Sequence, residues 1–260
     1  MTINGGQNMS MNDGISTWFR VVWNGWKKMI KNHWMKKLKY LSLFFLLFAI
    51  YWFPDVILAY PEVYLKSLVG YERQVVATWI FLGNMSISLF LGILICYKLG
   101  YYKNTISIFK IKNLLFLLIT TIILFVIYFF SYTYYNSHFI TPGIAKTQAA
   151  FSIQIVFPFV QFITIAICAP IFEEAAFRTT IYRFFKNDKI AYIVSCVGFA
   201  WMHTGPNPIL IVYLPMSIVL TSIYHRRRVL GESILVHGVF NALLPIVIPL
   251  LQVITGLYYL

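Results

Sequence analysis

Acidic residues are scarce in this chain: eight Asp and Glu among 260 residues, against 21 Lys and Arg. Charged residues of both signs together make up 11% of it, where soluble domains carry about 25%. So little charge cannot cover a water-facing surface. Cysteine is scarce too. Cys96, Cys168 and Cys196 all lie in apolar stretches without CxxC spacing, which argues against a disulfide framework or a thiolate metal knuckle and leaves small core residues. There is no HExxH, so the usual zinc-protease helix is missing. No cleavable signal peptide is expected, because about forty residues precede the first apolar run.

Apolar side chains are abundant. Hydrophobic residues are 60% of the chain, and several runs reach the 18 or so residues that a membrane helix needs. The expected fold is all-α: a polytopic membrane bundle of seven or eight transmembrane segments, at about 41–59, 75–97, 114–132, 151–182, 190–204, 208–224, 230–243 and 244–260. The last two are separated by Pro245 and Pro249, which suggest a turn or kink. Three regions follow. Residues 1–40 are a polar N-terminus and a basic, Trp-rich segment, residues 41–150 hold the N-terminal spans, and residues 151–260 form a helical core rich in intramembrane polar groups. Trp18, Trp23, Trp26 and Trp34 interleave with Arg20, Lys27, Lys28, Lys31, Lys36, Lys37 and Lys39, the composition of an amphipathic helix lying on an anionic cytoplasmic leaflet.

The net charge of +13 raises the possibility of a nucleic-acid partner, but its distribution excludes one. Basic residues gather in alternate connections: seven before the first span, then Lys98, Lys103, Lys110 and Lys112, then Arg183, Lys186 and Lys189, then Arg226, Arg227 and Arg228. The other side has only Lys66, Arg73 and Lys146. This asymmetry predicts an integral protein with a cytoplasmic N-terminus.

Glu173, Glu174 and Arg178 sit deep in an apolar stretch, where charge is costly and usually marks function. Counting at 1.5 Å per residue from the nearest basic loop puts Glu173 at about 20 Å, His203 at about 21 Å and His237 at about 14 Å. One carboxylate and two imidazoles from three segments can therefore converge. Glu174 and Arg178 are four apart on one helix face and can pair, structurally or for substrate binding, while Glu173 is rotated about 100° away. His237 and Asn241 also share a face. Two chemistries fit. Glu173, His203 and His237 could ligate zinc, leaving a position for water. Alternatively, Glu173 could act as general base on a water, with an imidazole and the Asn241 amide stabilising the oxyanion.

The three motifs Glu173-Glu174-Ala175-Ala176-Phe177-Arg178, Phe199-Ala200-Trp201-Met202-His203 and His237-Gly238-Val239-Phe240-Asn241 match EExxxR, FxxxH and HxxxN in order. In this the chain resembles the CPBP family, the CAAX-protease and bacteriocin-processing intramembrane proteases, across about residues 150–245. The resemblance implies a helical bundle with a cytoplasm-accessible intramembrane cavity. It implies that Glu173 and His203 activate water while His237 and Asn241 serve the oxyanion. It leaves metal use open, with the metal-free glutamate mechanism preferred because Asn is a poor zinc ligand. The implied substrate is a peptide or membrane-associated protein, in the membrane of a bacterium, with bacteriocin immunity or pheromone processing as the setting. Two other classes compete: a non-catalytic immunity protein that acts by binding, and a transporter. The transporter reading lacks an inverted repeat or paired broken helices.

Overall fold

The structure, a computed structural model, describes residues 20–25, 33–59, 68–139 and 156–256. Within them every regular element is helical. The helices are α1 (His33–Ala59), α2 (Gly70–Lys98), α3 (Ile111–Phe139), α4 (Pro158–Phe184), α5 (Asp188–Thr204), α6 (Leu210–Arg227) and α7 (Leu230–Thr255). Of these, α1, α2, α3, α4 and α7 are long and apolar enough to cross a membrane. The chain is an integral membrane protein built as a helical bundle. Its long helices present Trp79, Phe90, Leu118, Phe130 and Val253 outward, a surface suited to lipid rather than water.

The apolar segments 230–243 and 244–260 are not two elements. Residues Leu230–Thr255 form one helix that runs through Pro245 and Pro249, and among the described residues five helices, rather than the seven or eight segments expected, are long and apolar enough to span, because α5 and α6 are too short or too polar. Membrane helices tolerate such prolines because neighbours re-satisfy the freed backbone groups. The basic Trp-rich region also differs from expectation. Residues 20–25 are helical and exposed, but His33 to Tyr40 are the first turns of α1, because no Gly or Pro separates them from Leu41. Lys37 Nζ lies 5.9 Å from the Phe184 ring centroid at the foot of α4. Trp18, Trp26, Lys27, Lys28 and Lys31 lie outside the described residues.

Helix α4 is the axis of the bundle: 61% of its most apolar window is buried, against 28% or less for the other four long helices. One apolar cluster joins Leu43, Leu47 and Phe48 of α1, Leu124 and Phe125 of α3, Phe172 and Phe177 of α4, and Phe240 of α7. The N-terminal helices therefore pack directly on the polar core region. Within α4 two π-helical stretches, Thr164–Cys168 and Ala175–Thr180, flank the α-helical turn Ala169–Glu174. Pro170 accounts for the first. It has no N–H for the Ala166 carbonyl and its ring would collide with that oxygen, so the preceding turn widens.

The basic connections meet at one end of the bundle, as the charge pattern predicts. Arg183 donates to the Leu99 and Gly100 carbonyls at 2.9 and 3.2 Å. Arg227 donates to Ser107 Oγ at 2.7 Å and pairs with the buried Glu232 at 2.6 Å. Arg228, in the left-handed conformation that stops α6, pairs with Asp188 at 2.7 Å. These arginines lock loops together rather than sit solvated.

Close approach of α7 to α4 depends on Gly238. A Cβ there would lie 2.7 Å from the Ala166 carbonyl oxygen, the atom that Pro170 leaves without its helical partner. Gly238→Ala is expected to cost about 1–3 kcal/mol through overpacking, read as a lower melting temperature in detergent. Gly83→Ala, with nothing within 4 Å of the added carbon, should leave it unchanged or slightly raised.

Candidate active site

The π-flanked turn of α4 projects Glu173 and Glu174 in different directions. Glu174 is fully buried and held by Arg178, with Nε at 2.9 Å from Oε2 and Nη2 at 3.4 Å from Oε1. Arg178, itself fully buried, crosses to α5 through Nη1, donating to Ser195 Oγ at 2.8 Å and to the Ser195 carbonyl at 3.2 Å. Its guanidinium lies over the Phe199 ring at 4.8 Å. The pair expected from the i,i+4 spacing is therefore formed, and it does more than neutralise charge. Glu174 Oε1 also accepts from His237 Nδ1 at 3.0 Å, so it orients an imidazole on α7.

Glu173 points the other way, into the space between α5 and α7. Its Oε2 is 3.5 Å from His203 Nε2 and 3.9 Å from His237 Nε2. The tautomers follow from the far side of each ring. His203 Nδ1 contacts the Phe199 carbonyl at 2.8 Å, and a carbonyl can only accept, so Nδ1 carries the hydrogen. His237 Nδ1 faces a carboxylate oxygen and donates for the same reason. Were both rings neutral, their Nε2 lone pairs would be directed at a carboxylate. Three acceptors would then meet with no donor among them, so the arrangement calls for a proton on one ring or the hydrogens of a water between them.

His203 is fixed in plane by two rings: Phe199 at 4.4 Å and 35°, and Tyr213 of α6 at 5.2 Å and 19°. Exposure is graded across the cluster, with side chains 25% exposed at His203, 12% at Glu173 and 3% at His237. Asn241 lies one turn beyond His237, and its Nδ2 donates to the Ile165 carbonyl at 3.0 Å. That oxygen belongs to the first π stretch, so one amide hydrogen is committed to holding α7 on α4. Glu173, Glu174, Arg178, His203 and His237 thus form one connected cluster, with Asn241 clamped beside it. The zinc reading needs Glu173, His203 and His237 around a common point. Among the described residues no three His, Cys, Asp or Glu side chains form a group that could hold a metal.

Two contributors were not singled out from sequence. Ser195 stands at i, i+4, i+8 with Phe199 and His203, a one-face stripe readable in retrospect. Tyr213 carries no such signal, because its place beside His203 comes from the turn between α5 and α6.

Residues 155–243 match the family model described as type II CAAX prenyl endopeptidase Rce1-like. A UPF0177 protein in the abiGi 5' region of Lactococcus lactis subsp. cremoris is 99% identical over 232 residues, covering 89% of this chain and 100% of that protein. The UPF0177 protein YaiH of Lactococcus lactis subsp. lactis (strain IL1403) is 84% identical over 88% of this chain and 98% of its own length. YaiF of the same strain is 38% identical over 62% of this chain and 73% of its own length. No solved structure matches.

Removing Arg178 would strand the Glu174 charge in the core. Arg178→Met should cost about 3–5 kcal/mol, measured as a loss of melting temperature and of folded yield in detergent. The double change Arg178→Met/Glu174→Gln should recover part of that stability.

Proposed function

Because the chain belongs to the UPF0177 family of CAAX-protease-like (CPBP) membrane proteins, we propose that it is an intramembrane endopeptidase. It hydrolyses a peptide bond of a peptide or membrane-associated protein, in a bacterial cell membrane with its N-terminus cytoplasmic. The observation that carries this reading is the meeting of Glu173 Oε2 with the Nε2 atoms of His203 and His237.

Glu173 is the general base in this scheme. Water held between its Oε2 and His203 Nε2 loses a proton to the carboxylate while its oxygen bonds to the substrate carbonyl carbon. The carbonyl π pair moves onto oxygen, giving a tetrahedral oxyanion. His237, which enters the cycle already protonated on Nε2 from bulk water and is held as an imidazolium by Glu174, donates that N–H as a hydrogen bond to the oxyanion and keeps the proton through turnover. The second Nδ2 hydrogen of Asn241 is the other donor. Collapse re-forms the carbonyl and breaks the C–N bond. The departing nitrogen takes the proton held by Glu173, relayed by His203 Nε2, and Glu173 returns to its carboxylate. Glu174 and Arg178 are positioning residues, acting through His237 and α5.

The competing reading, a non-catalytic protein that protects by binding, draws on the same buried Glu174–Arg178–Ser195 network, which would serve a purely structural role equally well. Comparative peptidomics separates the two. A general base contributes about 100- to 10,000-fold, so Glu173→Gln should erase the products made by the wild type while the protein still inserts and accumulates. Unchanged products would sink the peptidase reading.

The scheme uses no metal. Purified protein should keep its activity in a strong chelator and carry no stoichiometric zinc by elemental analysis. One zinc per chain, with activity lost on its removal, would replace the glutamate mechanism with a metal one.

A further inference from the structure

An apolar groove of about 510 Å³ runs between α3 and α7. Leu117, Thr121 and Phe125 of α3 and Val236 of α7 form its buried floor. Leu118 and Ile122 on one side, and Val239 and Leu243 on the other, are its exposed rims. The groove extends from Leu114 to Val126 on α3, about 18 Å, and from Leu235 to Leu251 on α7, about 24 Å. One leaflet of a bilayer's hydrocarbon core is about 15 Å deep, so a whole acyl chain can lie along it. Its one polar side chain is already satisfied, because Thr121 Oγ1 donates to the Leu117 carbonyl at 2.7 Å. No Gly, Ala or Ser lines the groove, whereas close packing of membrane helices favours such small residues. The lining suits a flexible hydrocarbon chain better than another helix.

The groove starts where the basic connection between α2 and α3 ends. Residues 99–113 contain Lys103, Lys110 and Lys112 and no acidic residue. All three lysines are exposed. The Lys110 carbonyl accepts from the Leu114 N–H at 3.1 Å, so Lys110 stands one helical turn before the groove, on the same face. The carboxylates of this end are already taken: Glu232 holds Arg226 and Arg227, and Asp188 holds Arg228. Ile106 and Phe109 are exposed beside the lysines, a mixture suited to the headgroup boundary. The connection is also fixed in place. Ile108 is buried, and a Cβ on Gly231 of α7 would lie 2.7 Å from its Cδ1.

We propose that this face binds one anionic glycerophospholipid from the leaflet on the side of the basic loops. Lys110 and Lys112 hold the phosphate, and an acyl chain fills the groove between α3 and α7. The site is separate from the Glu173 cluster and does not depend on the peptidase reading. It bears on the helix that carries His237: Val236 precedes that histidine, and the Phe125 ring packs 4.8 Å from the Phe240 ring.

Native mass spectrometry of the purified protein in a mild detergent tests this, with phosphatidylglycerol and phosphatidylcholine of identical acyl chains added in turn. The wild type should retain one phosphatidylglycerol per chain in preference to phosphatidylcholine. Lys110→Gln/Lys112→Gln should weaken phosphatidylglycerol binding about 25-fold, about fivefold for each lysine, and leave phosphatidylcholine binding unchanged. Val239→Trp, which fills the groove from an exposed rim, should weaken binding of both lipids, while Phe90→Trp on the exposed face of α2 should change neither. A phosphatidylglycerol with a diazirine on its acyl chain should crosslink within residues 114–126 and 235–251. Equal retention of the two lipids, unchanged phosphatidylglycerol binding in the lysine variant, or crosslinks spread evenly over the lipid-facing helices overturns the proposal. Disulfide-linked dimers through Val239→Cys in membranes would overturn it too, by placing a second copy over the groove.

Discussion

The buried pair of Glu174 and Arg178 is the constraint around which the bundle is arranged. Two charges taken out of water into an apolar interior carry a desolvation penalty that their mutual attraction offsets only with good geometry and further hydrogen bonds. The structure supplies those bonds from three helices. Arg178 reaches Ser195 on α5, Glu174 reaches His237 on α7, and both charges originate on α4. Apolar residues of similar volume would often hold such a core together as well or better. They would leave His237 Nδ1 without an acceptor and its ring free to turn. Keeping an ion pair here is better explained by the orientation of His237 than by stability.

Proline sets the second condition. Pro170 denies the Ala166 carbonyl its usual partner, and α4 responds with a π stretch one turn before the glutamates. Carbonyls of that stretch turn toward α7, where Gly238 permits contact and Asn241 donates to Ile165. The HxxxN motif therefore has a backbone logic beside its chemical one. His237 faces the carboxylates, Gly238 admits α4, and Asn241 answers a carbonyl that the widened turn exposes. A change at Pro170 would reach the site through the register of α7.

Much of this could be read from the chain. The alternation of basic loops located the two ends of the bundle, and helical spacing paired Glu174 with Arg178 and separated Glu173 from it. Depth counting brought His203 and His237 to Glu173. Two things could not be read. The path of α7 through Pro245 and Pro249 depends on neighbours that stabilise a helix where local chemistry favours a break. The acceptance of His237 Nδ1 by Glu174 depends on the relative rotation of α4 and α7, which a π turn alters by an amount that no 3.6-residue periodicity describes. Tyr213 was hidden for a related reason, since only the turn after Thr204 decides which face of α6 meets α5.

Charge placement joins topology to packing. The arginines that mark one end of the bundle are the same residues that close it: Arg183 on the Leu99 and Gly100 carbonyls, Arg227 on Glu232, Arg228 on Asp188. A positive-inside signal made of freely solvated lysines could be moved to another loop with little structural effect. Here Arg227 completes the partners of a fully buried carboxylate, Glu232, so relocating the charge would strand that carboxylate. The end of the bundle that carries the basic loops is for that reason held together by specific side-chain pairs, and the same arginines that mark it fix the ends of α4, α5 and α7 on which the polar cluster is carried.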